Sequence, residues 1–99
     1  MKFDIHKSEN SLVIRVEGKL DAGTAPELDT ALADKMQNVT SVVYDFEELE
    51  YISSAGLRTL LATYKRMMKA EGSMRIVNVG AEVMSVLKLS GFADLYEIE

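Results

Sequence analysis

Short runs of β-branched and aromatic residues alternate along this chain with amphipathic segments of about 15 to 20 residues, the spacing at which a helix carries the chain from one strand to a parallel neighbour. In chain order the pattern predicts β, β, α, β, α, β, α and a weak terminal β. The first two strands form a hairpin. Phe3 and Ile5 alternate with Lys2, Asp4 and His6, Ser8-Glu9-Asn10 supplies turn chemistry, and Leu12, Ile14 and Val16 alternate with Val13, Arg15 and Glu17. Gly18-Lys19-Leu20-Asp21-Ala22-Gly23 breaks this pattern. Thr24-Ala25-Pro26-Glu27 follows, with Thr at an N-cap, Pro in the first turn and Glu three residues after the cap, which is the signature of a capping box. Leu28, Ala31, Leu32, Lys35 and Met36 recur at three and four, so the first helix is predicted to end near Gln37-Asn38.

Ser41-Val42-Val43-Tyr44-Asp45-Phe46 reads as a strand ending at Asp45 or Phe46, and Glu47-Glu48-Leu49-Glu50 as an acidic loop. From Ser54 or Ala55 onward, Leu57, Leu60, Leu61, Tyr64, Met67 and Met68 keep a helical period, with Gly72 expected at the C′ position. Met74 to Val79 is a further strand. After Gly80, Val83, Val86, Leu87 and Ser90 line one face of a short helix closed by Gly91, and a last strand is expected near Tyr96-Glu97-Ile98. The fold class is α/β or a closely related α+β sheet, mixed but mostly parallel, with an antiparallel N-terminal edge hairpin. A sheet covered on both faces would have nearly continuous apolar strands. The alternation of Leu12, Ile14 and Val16 with Arg15 and Glu17 therefore places the helices mainly on one face.

Composition narrows the function. Ninety-nine residues support one core, so residues 1–99 are read as a single domain. No apolar run approaches the ~18 residues that would span a bilayer, and Met1-Lys2-Phe3-Asp4 does not open a signal peptide, so a cytoplasmic protein is expected. Zero Cys removes disulfides and thiolate chemistry, and a lone His6 leaves histidine metal sites without enough ligands; no metal or cofactor is expected. A net charge of −5 argues against nucleic acid, and another protein is the natural partner. No Ser-His-Asp set and no phosphate-cradling glycine loop is present, so the chain is not expected to be an enzyme.

If the strands ending near Leu20 and Phe46 are parallel, Asp21, Asp45, Ser53 and Ser54 gather at the carboxyl edge of the sheet, where open α/β sheets place their sites. Two readings of the serines stand side by side. Either hydroxyl can cap the helix by accepting an orphan backbone N–H, or can carry a phosphate that meets the helix dipole, with Arg58 one turn along. Asp45 reads as a strand-end residue accepting hydrogen bonds from loop amides. An acidic Mg²⁺ pocket built from Asp21 and Asp45 is the weaker reading, because the adjacent acidic residues and late Lys of response-regulator domains are not found here. Met67, Met68, Met74 and Met84 fit core positions. Arg58, Lys65, Arg66 and Lys69 form either a solvated helix face or a strip that docks an acidic partner.

Gly18-Lys19-Leu20-Asp21 before a capped helix, Val42-Val43-Tyr44-Asp45-Phe46, Tyr51-Ile52-Ser53-Ser54-Ala55-Gly56-Leu57-Arg58 and the late Ser90-Gly91-Phe92 together resemble the STAS domain of bacterial anti-sigma factor antagonists, over nearly the whole chain. The resemblance implies a STAS-like mixed sheet and a regulatory interaction module. Unphosphorylated, such a module binds an anti-sigma factor that is also a serine-protein kinase and so releases a sigma factor; phosphorylation switches it off, and a serine phosphatase restores it. Carried over by position, the modified serine is Ser54. Ser53 stands where sporulation and stress-response members have Asp, and Ala55 where they have Ser or Thr, so Ser53 competes as the modified residue. The implied partner surface comprises Asp21, Thr24, Ser53, Ser54, Ala55, Gly56, Leu57 and Arg58, on a monomer that contacts neither nucleic acid nor membrane. The alternative is a STAS scaffold or accessory subunit of a signalling or lipid-transport complex that is never phosphorylated.

Overall fold

A computed structural model describes residues 2–94 and 97–99 of the chain. β1 (Lys2–Ser8) and β2 (Ser11–Leu20) pair antiparallel from Lys2↔Glu17 to Ser8↔Ser11, joined through Glu9 and Asn10, with Glu9 at φ 54°. β3 (Ser41–Asp45) lies parallel to β2, β5 (Ser73–Val77) parallel to β3, and β6 (Glu97–Ile98) parallel to β5. The order across the sheet is β1-β2-β3-β5-β6, and β4 (Leu49–Ile52) pairs with the far half of β2. Among the described residues three α-helices, α1 (Ala25–Ala33), α2 (Ser54–Lys69) and α3 (Ala81–Leu89), and a short 3-10 turn at Phe92–Asp94 complete the fold. The expected mixed sheet with an antiparallel edge hairpin is what forms. Of the terminal strand, Glu97 and Ile98 pair with Arg75 and Ile76, while Tyr96 lies outside the described residues.

Strand alternation decides which face is covered. Leu12, Ile14, Val16, Val42, Tyr44, Met74 and Ile76 are buried, and the intervening Val13, Arg15, Val43, Asp45, Arg75 and Val77 are exposed or half-buried. The helices therefore lie on one side, and the other side is an open face held by ion pairs. Arg15 faces Asp45 at 3.6 Å and Glu47 at 3.9 Å; Arg75 faces Glu97 at 3.3 Å and Glu99 at 2.8 Å. The Glu99 hydrogen bond, reinforced by both carboxylates, holds the Arg75 guanidinium above its already high pKa. Under the helices, Tyr44 bonds Thr63 of α2 through a 2.7 Å hydroxyl pair and packs against Phe46 with ring centroids 5.7 Å apart.

Four local expectations are corrected. Residues 49–52, read partly as an acidic loop, form β4, because Leu49 and Ile52 are buried while Glu50 and Tyr51 point outward. The charged neighbours hid this strand from a pattern search. α1 ends at Ala33, not near Gln37-Asn38, yet Met36 and Val39 remain buried, so the apolar period continues through turns after the helix has stopped. Thr24 sits at the N-cap of α1 without a side-chain cap bond, so the capping box does not form. At the end of α2 the left-handed C′ position is Glu71 at φ 58°, with Glu71 N–H donating to Met68 O (3.1 Å) and Gly72 N–H to Met67 O (2.7 Å). Gly72 serves a different need: a Cβ there would strike the backbone of Thr40, whose carbonyl accepts from Ser73 N–H at 2.9 Å.

Candidate functional site

The site is built where the far half of β2 meets β4. Gly18, at φ 84° and donating to Glu48 O at 2.9 Å, begins a bulge that shifts register between Gly18 and Lys19 and turns the end of β2 onto β4. Leu20 then pairs with Ile52, and Ser53 N–H donates to Leu20 O at 2.9 Å. This bond joins the strand end that precedes the Asp21 loop to the N-cap residue of α2.

Asp21 organises that loop. Its Oδ1 accepts from Gly23 N–H (3.0 Å) and Thr24 N–H (3.2 Å), and its carbonyl accepts from Ala25 N–H (2.8 Å). Thr24 Oγ1 donates to Lys19 O at 2.8 Å and accepts from Asp21 N–H at 2.9 Å, which closes the loop from the other side. Thr24 thus braces the loop where a helix cap was expected.

Ser53 holds the N-cap position of α2 in extended conformation (φ −103°, ψ −179°), but its hydroxyl makes no cap bond; Ser53 Oγ is shielded from solvent and has no hydrogen-bond partner. The capping reading of the pair is corrected: the position is right and the hydroxyl is idle. Ser54, the first residue of α2, is exposed. The first helical bond runs from Leu57 N–H to Ser53 O at 2.9 Å, so the amides of Ser54, Ala55 and Gly56 precede it. Those donors and the positive end of the helix dipole lie at the end of α2 that carries Ser54. Arg58, exposed and one turn along, shares that side of the helix.

Gly56 explains why the helix can start here. A Cβ on Gly56 would lie 2.6 Å from Ile52 Cγ1, 2.9 Å from Leu20 Cγ and 2.9 Å from Leu20 O. Only a residue without a side chain lets the first turn of α2 rest on the Leu20–Ile52 pair. Ala55 and Leu57, both half-buried, pack against the core on either side.

Asp45 does not join this group. It pairs in register with Arg15, six residues before Asp21 on β2 or ~20 Å along an extended strand. There its Oδ1 accepts from Glu47 N–H (3.0 Å) and Asn78 Nδ2 (3.1 Å), the strand-end role expected of it. An acidic pocket shared with Asp21 is therefore not formed, and among the described residues no three His, Asp or Glu side chains are placed to hold a metal ion. Sequence reasoning missed Asp29, whose carboxylate accepts from Thr59 Oγ1 at 2.7 Å and ties α1 to α2 one turn beyond Ser54. Its signal, a Thr pair at 59 and 63 inside an apolar helix face, was present in the sequence but not its partner.

Comparison with known proteins gives this geometry its relatives. BtrV of Bordetella bronchiseptica is 29% identical over 99 residues, covering 99% of this chain and 85% of the relative. An anti-sigma factor antagonist from Mycobacterium paratuberculosis has the same fold, with a TM-score of 0.84, 26% identity and coverage of 98% of this chain and 83% of that one. The Bacillus cell fate determinant SpoIIAA, solved in its phosphorylated form, shares the fold with a TM-score of 0.79 at 20% identity, over 99% of this chain and 91% of its own. With the STAS domain family model matching residues 2–99, the chain belongs to the STAS domain family.

Proposed function

We propose that this chain is a single-domain, monomeric anti-sigma factor antagonist of the cytoplasm, a regulatory protein and not an enzyme. Unphosphorylated, it binds an anti-sigma factor with serine kinase activity through Asp21, Thr24 and the segment Ser53 to Arg58, and so frees a sigma factor. Kinase action moves the γ-phosphoryl group of ATP to Ser54 Oγ, with the hydroxyl proton lost and ADP leaving; a serine phosphatase hydrolyses the ester. One observation carries the choice of residue: Ser54 is exposed at the first position of α2, while Ser53 Oγ is shielded. The relatives named as anti-sigma factor antagonists support the class of partner.

The switch works by local charge. A phosphate adds roughly two negative charges where α2 offers free amides, so the fold accommodates it, and where the partner kinase must itself hold the γ-phosphate of ATP, so the contact does not. Among the described residues no helix is long and apolar enough to cross a membrane. Incubation with the cognate kinase and Mg-ATP followed by mass mapping is expected to place the phosphate on Ser54. Ser54→Ala is expected to bind the kinase constitutively and Ser54→Asp poorly. Phosphate on Ser53, or on neither serine, sinks the assignment. Ser53 in the place of the usual Asp favours the scaffold reading, which predicts capture of a membrane transporter subunit in place of a kinase.

A further inference from the structure

A trough of about 520 Å³ runs between α1 and α2, within the size range of preformed binding sites. Its floor is apolar, with Ala25 and Leu32 from α1 and Met36 from the turn after it facing Ala55 and Ala62 from α2. A second hollow continues it along α2 past Lys65 and Lys69 to Ala70. From Ala55 to Ala70 the two span ~22 Å at the helical rise of about 1.5 Å per residue.

The rim is electrically lopsided. The chain has four arginines: Arg15 and Arg75 are ion-paired on the open sheet face, whereas Arg58 and Arg66, which line the trough, form no ion pair among the described residues. Lys65 and Lys69 extend the same wall. On a chain of net charge −5 this is an unmatched cationic edge. The opposite wall, on α1, carries Asp29, with Glu27 and Asp34 exposed beside it.

We infer that the α1–α2 trough receives an amphipathic helix of a partner protein, its apolar stripe on the alanine floor and a row of carboxylates along the Arg58–Arg66 wall. The small floor residues let a helix approach closely, and guanidinium groups are the side chains best matched to carboxylates in two-point contact. Arg58 and Arg66 are eight residues apart, ~12 Å along α2, the separation of carboxylates two turns apart on a helix lying alongside. The acidic α1 wall opposes a polyanion such as nucleic acid, which would carry negative charge to both sides. The trough shares Ala55 and Arg58 with the proposed kinase surface and continues from there to Arg66, and its occupancy does not depend on which serine is modified.

The test uses the unphosphorylated ¹⁵N-labelled chain without kinase, so its outcome is separable from that of the Ser54 assignment. It is titrated with a synthetic amphipathic helical peptide of about 16 residues, with Leu on one stripe and Glu on one flank, and with the same peptide carrying Lys for each Glu. Saturable amide shifts are expected around Ala25, Asp29, Ala62 and Arg66 with the Glu peptide alone. Binding is expected to weaken about tenfold in Arg58→Glu/Arg66→Glu, and to be lost in Ala62→Trp, which fills the trough without changing charge. The exposure of Arg58, Ala62 and Arg66 leaves the fold intact, and preserved amide dispersion checks it. The inference is overturned by equal binding of the Lys peptide, by shifts on the open sheet face, or by no saturable shift at millimolar peptide. Trough shifts that follow protein concentration alone would make a second copy the occupant, and shifts reproduced by inorganic phosphate would make the site one for a small anion; either also overturns it.

Discussion

Gly56→Ala is the perturbation that most directly probes how the switch segment is held. The added methyl would sit 2.6 Å from Ile52 Cγ1 and 2.9 Å from both Leu20 Cγ and Leu20 O. Leu20 and Ile52 are 0% and 2% exposed, so neither side chain has room to swing away. Overpacking of this kind costs about 1–3 kcal/mol. Relief by lifting α2 also stretches the bond from Ser53 N–H to Leu20 O, now 2.9 Å, a further loss of about 0.5–1.5 kcal/mol. Against this, Ala gains about 1 kcal/mol over Gly in a helix interior. The net expectation is a destabilisation of about 1–3 kcal/mol, which for a domain of this size lowers Tm by about 5–20 °C. Thermal unfolding followed by circular dichroism measures it, with Gly80→Ala as control because a Cβ there meets nothing within 4 Å. The same displacement moves Ser54, so kcat/KM for its phosphorylation is expected to fall in the folded variant at low temperature. A Tm that rises, as helix propensity alone requires, refutes the close seating of α2 on the Leu20–Ile52 pair.

Three further outcomes follow from the same geometry. Ser53→Ala removes a shielded hydroxyl that bonds nothing, so denaturant unfolding is expected to show no loss or a gain of up to about 1 kcal/mol, and the variant is still phosphorylated; a loss above that amount means the hydroxyl caps α2 after all. Glu71→Gly relieves a left-handed residue at φ 58° and is expected to stabilise by about 1 kcal/mol, whereas Gly72→Ala, one residue on, is expected to cost about 3 kcal/mol by striking Thr40; equal effects at the two positions contradict the assignment of C′ to Glu71. Thr59→Val cuts the 2.7 Å bond to Asp29, with an expected loss of about 1 kcal/mol and faster hydrogen exchange in α1, and unchanged α1 exchange argues that apolar packing alone holds the two helices.

Much of this protein is legible in residue order. The alternation of Leu12, Ile14 and Val16 with Val13 and Arg15 sets which face of β2 is buried, since successive side chains on a strand point to opposite sides. The lengths between strands require crossovers, and the Ser54-Ala55-Gly56-Leu57 segment marks the start of a helix, as it does in the structure. These features are local, carried by period and by the conformational preferences of single residues.

What the sequence could not determine depends on which backbone groups meet across the sheet. β2 is ten residues long and, besides β1, has two parallel neighbours, β3 along its first half and β4 from Gly18 onward. That division sends Asp45 to Arg15 and leaves Asp21 beside Ser53, although one aspartate ends its strand and the other directly follows its own. The difference between Ser53 and Ser54 is likewise tertiary. Two identical side chains, adjacent in sequence, are separated by the turn of the helix and by the Leu20 carbonyl that fixes it, so one hydroxyl is shielded and the other faces solvent.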